Sequence, residues 1–195
     1  HYGSGLNAIP VLDAYKNNLD DFYLLRVGHA GSMGPLANIT QEGFAPAAFH
    51  SYPSTLDIDG YTCDYGSGFY GYAVNSSTYI YNHPEFGWLA FSGNLTQKGD
   101  WVSTEITTAG KNRVFITPEA LEIEAVSGKI VRVDYNSVTK EVVVEYDGDL
   151  QFDITVPEGR KISTDKVLMK NERGYYEIKS AKGVKSLFRF KIENI

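Results

Sequence analysis

Apolar residues recur with two different periods along the chain, and the change of period divides it into two predicted parts. Over residues 5–27 the period is about three, which is typical of one face of a helix. The residues of this stripe are Leu6, Ile9, Leu12 and Tyr15. Asn17-Asn18 interrupts the stripe, and Asp20 or Asp21 is placed to cap a second helix, FYLLRV, that ends at Gly28.

Loops and short elements are predicted between residues 31 and 91. GSMGP (31–35) and residues 50–71 are expected to be loops, with a short helix between them at 36–49. Residues 72–82 are predicted to be a helix that Pro84 stops, although the tyrosines within it also alternate as in a strand. GWLAF (87–91) is predicted to be a strand.

From residue 100 onward the apolar period is two, and this part of the chain predicts an antiparallel β-sandwich. Glycine-containing turn signals, among them Ser127-Gly128 and Asp147-Gly148, separate the runs, and VRVDYNSVTKEVVVEY reads as a hairpin. The eight runs are WVSTEIT, NRVFIT, ALEIEAV, KIVRVDY, EVVVEY, LQFDITV, YYEIKS and LFRFKIE.

The predicted fold class is therefore α+β. Residues 1–95 form a helical and loop segment that is rich in aromatic residues and glycine, and residues 96–195 form the antiparallel sandwich. The net charge of −6 lies wholly in the first part, where two basic residues oppose eight acidic ones, whereas residues 96–195 hold sixteen of each sign. We expect the first part to carry recognition or chemistry and the second to be scaffold.

The charge and the apolar pattern exclude two classes of partner. Nucleic acid binding requires a basic face, which a chain of net charge −6 does not predict. No apolar run approaches the length of about 18 residues that a membrane-spanning helix needs. We therefore expect neither a nucleic acid partner nor a membrane.

Three sequons and one cysteine bear on localisation. Cys63 has no partner for an internal disulfide, which by itself favours the cytosol. The N-x-[ST] sequons at Asn38, Asn75 and Asn94 lie within sixty residues, all in the less basic half, and favour a secreted, glycosylated chain. The chain begins at His1 as if within a domain, so we expect the C-terminal portion of a longer precursor, completed by its upstream part or by another chain.

The most unusual stretch is DIDGYTCDYGSGFYGYA (57–73), which combines three aspartates, five aromatic residues and four glycines. Neither a helix nor a buried strand favours this mixture. Paired carboxylates among rings suit glycoside hydrolysis, in which one acid protonates the leaving oxygen and the other acts as base or nucleophile. The candidate catalytic residues are Asp57, Asp59 and Asp64, with Glu42 nearby.

The rings and histidines around these acids are candidate substrate-binding residues, because aromatic faces stack on the C–H groups of sugars. The candidates are Tyr61, Tyr65, Phe69, Tyr70, Tyr72, His29 and His50. His83, in NHPEFGW, is expected to fix a turn before the following strand. No metal site is predicted, because the histidines lack the spacing of zinc ligands.

Other interpretations of the same stretch remain open. Gly66–Gly71 matches G-x-G-x-x-G, but no buried strand precedes it, so a nucleotide site is not predicted. The D-x-D-G start at Asp57 resembles a calcium loop only in its alternation, and no cofactor is expected beyond this calcium alternative. The aspartates could instead form turns in a non-enzymatic secreted module that assembles with a partner chain or into a matrix or filament.

The strings HYGSGLNAIPVLDAY, MGPLANITQEGFAPAAFHSYPSTLDIDGYTCDYGSGFYGYAVN and NHPEFGWLAFSGNL resemble a secreted domain-of-unknown-function family of bacteria and fungi. Longer members of that family look like six-hairpin glycosidases, which combine an (α/α) toroid with β-sandwich parts. The resemblance covers most of residues 1–95 and implies that they are part of the toroid. It implies a glycan substrate and a carbohydrate-active role, with a polysaccharide lyase as the second enzymatic option, and it transfers no catalytic residue.

Overall fold

The computed structural model of this protein describes residues 4–37, 76–107, 112–179 and 185–195. Contacts divide the chain into two compact units, His1–Ser76 and Ser77–Ile195. In the first unit, helix α1 spans Ser4–Asn17 and helix α2 spans Phe22–Ala37. No helix among the described residues has the length and hydropathy needed to cross a membrane.

Helix α2 begins as the sequence predicts but ends much later. The backbone N–H of Leu24 donates to Asp21 Oδ1 over 3.2 Å, which confirms Asp21 as the N-cap. The helix then continues through Gly28 and the predicted loop 31–35 to Ala37, so both of those predictions are wrong. The glycines are interior residues of α2 that allow close packing against α1.

Close packing also explains which face of α1 is buried. A Cβ atom at Gly28 would lie 2.6 Å from Leu12 Cδ2, and one at Gly31 would lie 3.1 Å from the Cβ of Ala8. The buried face of α1 consists of Gly5, Ala8, Leu12 and Tyr15. The predicted stripe is therefore correct at only two of its four positions, because Leu6 and Ile9 are 44% and 36% exposed.

The second unit is a ten-stranded sheet. Its central path runs β2-β1-β5-β6-β7-β10-β8, while β3 pairs with β4, β4 with β6, and β9 with β7. The strands are β1 (Thr78–His83), β2 (Gly87–Phe91), β3 (Gly93–Lys98), β4 (Trp101–Ile106), β5 (Arg113–Ile116), β6 (Leu121–Asn136), β7 (Glu141–Thr155), β8 (Arg160–Ser163), β9 (Tyr176–Ile178) and β10 (Ser186–Asn194).

The predicted fold class is wrong. All ten strands belong to one hydrogen-bonded sheet, and β1 pairs in parallel with β5, so the described part of the chain is mostly β rather than a partial toroid followed by an antiparallel sandwich. The helical content of the described residues is limited to α1, α2 and a 3-10 turn at Thr117–Glu119. Two helices do not make the repeated helical hairpins that a toroid requires.

Strand β1 replaces a predicted helix. Residues 79–83 pair antiparallel with β2 and residues 78–80 pair parallel with β5, so the tyrosines alternate with Ile80 across the two faces of the sheet. β-Branched and aromatic residues favour such a pleated surface. The predicted strand at 87–91 is confirmed as β2.

Four of the eight predicted runs join into two long strands. ALEIEAV and KIVRVDY are both in β6, and EVVVEY and LQFDITV are both in β7, around the confirmed hairpin. The predicted turns at 127–128 and 147–148 are wrong, because Gly128 and Gly148 have φ of +75° and +77° within the strands, beside shifts in the β6–β7 register. Glycine in this conformation is typical of a β-bulge, which bends the strand.

The bend folds the sheet back on itself. At about 3.3 Å per residue, a straight β6 would separate Leu121 from Tyr135 by about 46 Å. Yet the Tyr135 hydroxyl donates a hydrogen bond to Glu119, two residues before β6 begins. The Trp88 ring of β2 also lies 5.7 Å from the Tyr135 ring, although β1 and β5 separate β2 from β6 in the sheet.

One hydrophobic core fills the space inside this fold. It includes Ile80 of β1 and Val114 of β5, together with Val102 of β4 and with Phe188 and Phe190 of β10. Burial of each such side chain stabilises the fold by about 1.5–3 kcal/mol relative to its exposure. The shared core and the folded sheet bring the two ends of β6 together, and this is where the charged residues of the next section lie.

Candidate functional site

Glu119 is a buried carboxylate at the end of the 3-10 turn that joins β5 to β6. Its side chain is only 1% exposed. Thr117-Pro118 starts the turn, and Ala120 ends it in the left-handed region with φ of 46°, after which β6 leaves in a new direction. The local backbone therefore directs Glu119 into the interior, where a charge requires partners.

Three side chains satisfy this carboxylate, one from the far end of β6, one from the β6–β7 loop and one from β8. The Tyr135 hydroxyl donates to Oε1, and Lys140 Nζ lies 2.8 Å from the same oxygen. Arg160 donates to Oε2 through its guanidinium group. Lys140 Nζ also donates to the Tyr135 hydroxyl over 3.2 Å. We refer to Glu119, Tyr135, Lys140 and Arg160 as the Glu119 cluster.

The cluster fixes the protonation states of its members. Burial acts to raise the pKa of Glu119, but hydrogen bonds from Lys140 and Tyr135, the charge of Lys140 and the Arg160 guanidinium outweigh it, so the pKa is lowered. Burial, followed by the hydrogen bond to the Glu119 carboxylate, raises the pKa of Tyr135. At neutral pH the cluster therefore holds an ionised Glu119 and a protonated Tyr135, which is a poor arrangement for a tyrosine base.

The two cations of the cluster reach solvent at a basic groove. The side chains of Lys140 and Arg160 are 39% and 34% exposed, and both line the groove. The groove is a cavity of about 500 Å³ between the β6–β7 hairpin, the start of β8 and the end of β10. It is lined by Val138, Thr139, Lys140, Arg160, Lys191, Ile192, Glu193 and Asn194.

Most of the residues predicted from the sequence as a site lie outside the described residues. The structure describes only His29 and Asn94 among them. The others are Glu42, His50, Asp57, Asp59, Tyr61, Asp64, Tyr65, Phe69, Tyr70 and Tyr72, with the sequons Asn38 and Asn75. Their roles stay predictions.

His29 lies in the interior of α2 and is half-buried. Its backbone carbonyl accepts a hydrogen bond from Ser32 Oγ over 2.8 Å. Asn94 and Thr96 of the third sequon are both exposed on β3, a strand whose only partner strand among the described residues is β4. The Asn94 amide is thus open to solvent.

The tip of the β1–β2 hairpin presents an exposed ring. Phe86 is 65% exposed and stacks on His83, with 4.8 Å between ring centroids. His83 Nδ1 accepts the backbone N–H of Glu85 over 3.1 Å, which confirms that His83 fixes this turn. Across the described ranges, no three His, Cys, Asp or Glu side chains converge closely enough to hold a metal ion.

The Glu119 cluster follows from no motif in the sequence. Its other members lie sixteen to forty-one residues after Glu119, and no spacing motif connects them to it. One local signal was available: Glu119 follows Thr117-Pro118 between two apolar runs, where a turn carboxylate is usually solvated. Only the fold of the sheet brings Arg160 and Tyr135 to it.

The chain belongs to a family of unknown function (DUF5695), whose profile matches residues 1–188. The predicted resemblance to a domain-of-unknown-function family is confirmed at this level. No curated protein and no solved structure matches the chain.

Proposed function

We propose that this chain is part of a secreted carbohydrate-active enzyme of the glycoside hydrolase type, acting on a polysaccharide or oligosaccharide. The observation that carries the proposal is the composition of residues 57–73, where three aspartates and five aromatic residues lie among four glycines. Hydrolysis of a glycosidic bond needs two carboxyl groups beside a surface that holds a sugar ring. The proposal includes the relationship to six-hairpin glycosidases, for which the strings in residues 1–95 are the support.

In this proposal the sugar-binding rim is formed by residues 29–72. Asp57, Asp59 and Asp64 supply the acid and the base or nucleophile, and Glu42 supports them. The aromatic residues of the same stretch stack on the sugar, and His29 and His50 make polar contacts.

The exposed sequon on β3 supports secretion. Oligosaccharide transfer requires an accessible asparagine in an N-x-[ST] sequence, and both Asn94 and Thr96 are exposed. Expression in a glycosylating eukaryotic host is expected to give a glycosylated chain whose mass falls by one glycan in Asn94→Gln. An unchanged mass in that variant would remove this support.

The enzymatic proposal is tested by replacing the three aspartates with asparagine, which keeps their shape and removes their charge. The protein used is the full-length precursor that contains this chain. It is incubated with a panel of glycans, and turnover is measured as the appearance of new reducing ends. We expect the triple variant Asp57→Asn, Asp59→Asn, Asp64→Asn to lose turnover by at least about a hundredfold, the usual contribution of general acid–base catalysis. Asp100→Asn, an exposed aspartate at the β3–β4 turn, is the matched control and is expected to retain turnover.

Three outcomes would contradict the hydrolase assignment. Turnover that survives in the triple variant would assign the aspartates to turns. An ultraviolet-absorbing unsaturated product, in place of a simple reducing end, would identify a lyase. No turnover on any glycan, together with assembly that the triple variant leaves intact, would favour the non-enzymatic secreted module.

A further inference from the structure

The basic groove has the chemistry of an anion site in a chain whose net charge is negative. Lys140, Arg160 and Lys191 line it against one carboxylate, that of Glu193. Glu119 adds a second carboxylate beneath the groove, so these three cations face two carboxylates and one positive charge remains in excess. Residues 96–195, to which the groove belongs, hold sixteen charges of each sign, so this excess is local to the groove.

The cations of the groove are held in position before any ligand arrives. Glu119 fixes both Lys140 and Arg160, so these side chains have already lost rotamer freedom that binding would otherwise remove. Arg160 uses one guanidinium nitrogen on Glu119 Oε2, and its other N–H groups form the planar fork that matches a carboxylate or sulfate. Lys191 is exposed, and within the described ranges its ammonium forms no ion pair.

The groove also offers apolar surface beside these charges. Val138 is 67% exposed at the tip of the β6–β7 hairpin, whereas Ile192 of β10 lines the groove with only 4% of its surface exposed. A volume of about 500 Å³ accommodates one or two sugar rings and falls within the usual range of ligand sites. The exposed Val138 side chain beside these cations is suited to a ring with C–H faces and one anionic substituent.

We propose that the basic groove binds the anionic group of an acidic sugar, with Arg160 and Lys140 on the oxyanion and Lys191 completing the positive field. The shared chemistry is an oxyanion on a sugar ring, which is either the carboxylate of a uronic acid or a sulfate ester. That the ligand is a sugar rests on the function proposed above, whereas the binding of an anionic group rests on the groove alone. The substrate class of the enzyme is then an acidic glycan.

The test is a binding titration of the intact protein, followed by tryptophan fluorescence. Trp88 contacts Tyr135 of the cluster, and Trp101 pairs with Asn136 at the start of the β6–β7 loop, so both tryptophans lie close to the groove. Three probes are compared at constant ionic strength: an oligomer of galacturonic acid, a galactose oligomer of equal length bearing sulfate esters, and the unmodified galactose oligomer. At least one anionic oligomer is expected to bind, and the unmodified oligomer is expected not to.

Lys191→Gln is the decisive variant, because it removes a groove charge without touching Glu119. It is expected to weaken binding of the anionic oligomer by about fivefold, the effect of losing one partly screened charge pair. Lys166→Gln is the matched control, since Lys166 is exposed and does not line the groove. Arg160→Lys keeps the charge but loses the fork, and is expected to weaken binding further than Lys191→Gln.

Equal affinities of Lys191→Gln and Lys166→Gln would overturn the proposal, as would binding of the unmodified oligomer as tight as that of the anionic ones. The aspartate triple variant separates this inference from the function proposed above. If that variant loses turnover while Lys191→Gln binds normally, only the groove inference fails. If the triple variant retains turnover while Lys191→Gln binds weakly, the groove stands as an anion site and the hydrolase assignment fails.

Discussion

The helix pair in the first unit and the sheet in the second both depend on glycine, but for opposite physical reasons. Gly28 of α2 has an ordinary helical conformation and is needed because Leu12 of α1 fills the space that a Cβ atom would occupy. Gly128 of β6 is needed for its backbone conformation, with φ of +75°, and also because Asp149 O lies 2.8 Å from the position of a Cβ atom. One glycine serves packing, and the other serves a bend.

The two regions also differ in how they hold distant parts of the chain together. The helix pair is joined by small apolar residues and by a hydrogen bond of 2.9 Å from Ser4 Oγ to the Gly31 carbonyl. The folded sheet has a large core and, at its open end, the Glu119 cluster. Removing one partner of a buried ionic cluster leaves the others unsatisfied, so we expect the sheet to be the more sensitive region to single polar changes.

The largest effect is expected from Glu119→Ala. It leaves Tyr135 without its acceptor and two cations without their shared anion, and should lower the free energy of unfolding by about 3 kcal/mol. Chemical denaturation of the sheet unit, followed by Trp88 and Trp101 fluorescence, measures the loss. Glu158→Ala, at an exposed turn carboxylate, is the control with no expected effect. Equal stability of the two variants would show that the cluster does not hold the sheet closed.

Gly128→Ala should have the next largest effect and lower the free energy of unfolding by about 2 kcal/mol. The strain of a non-glycine residue at positive φ adds there to a clash between the new Cβ atom and the backbone. Gly159→Ala separates these two causes, since Gly159 has φ of +79° and nothing within 4 Å of an added Cβ atom. Gly159→Ala should therefore lower the free energy of unfolding by about 1 kcal/mol, the contribution of backbone strain alone. Chemical denaturation of both variants gives the difference between their free energies of unfolding. If Gly159→Ala lost as much stability as Gly128→Ala, the close contact of Gly128 with the neighbouring strand would be contradicted.

Gly28→Ala tests the packing role of the helix glycines. Contact with Leu12 costs about 1–3 kcal/mol, which the better helix propensity of alanine offsets by up to about 1 kcal/mol. Amide hydrogen exchange should therefore accelerate in α1 and α2 and remain unchanged in the sheet. In the double variant with Leu12→Ala the combined loss should be smaller than the sum of the two single losses. Additive losses would place Gly28 and Leu12 out of contact.

The smallest expected effect is the pH dependence of the cluster. Because the pKa of Glu119 is lowered on folding, its contribution to stability is complete above the ordinary glutamate pKa of about 4.3 and is lost as the pH falls through the lower folded value. Urea denaturation between neutral and strongly acidic pH should show a steeper loss of stability for the native chain than for Glu119→Gln. Parallel pH profiles would contradict the lowered pKa.

The sequence predicted those parts of the fold that depend on neighbours along the chain. The Asp21 cap, the β6–β7 hairpin and the strand at 87–91 follow from residues a few positions apart. The end of α2 was predicted wrongly because glycine commonly terminates helices, and its local signal is the same when a second helix packs against it. The turns at 127–128 and 147–148 failed for a similar reason, since glycine at positive φ is common to turns and bulges.

The candidate functional residues likewise include a set that the sequence indicates and a set that it does not. The acid and ring composition of residues 57–73 is visible in the sequence and remains the basis of the proposed function. The Glu119 cluster and its groove were not predictable, because Arg160 and Lys140 resemble any surface cation in a charged β segment. Their neighbourhood depends on which strands pair and on where the sheet bends.

What the sequence determined by itself is the local conformational preference of each segment, the negative charge of its first half, and the membership of the chain in its family. What only the tertiary structure decided is that two pairs of short runs form two long strands, and that these strands bend until the ends of β6 meet. The physical reason is that backbone preferences act over a few residues, whereas strand pairing and burial are set by the whole core. A buried carboxylate finds its partners only after that core has formed.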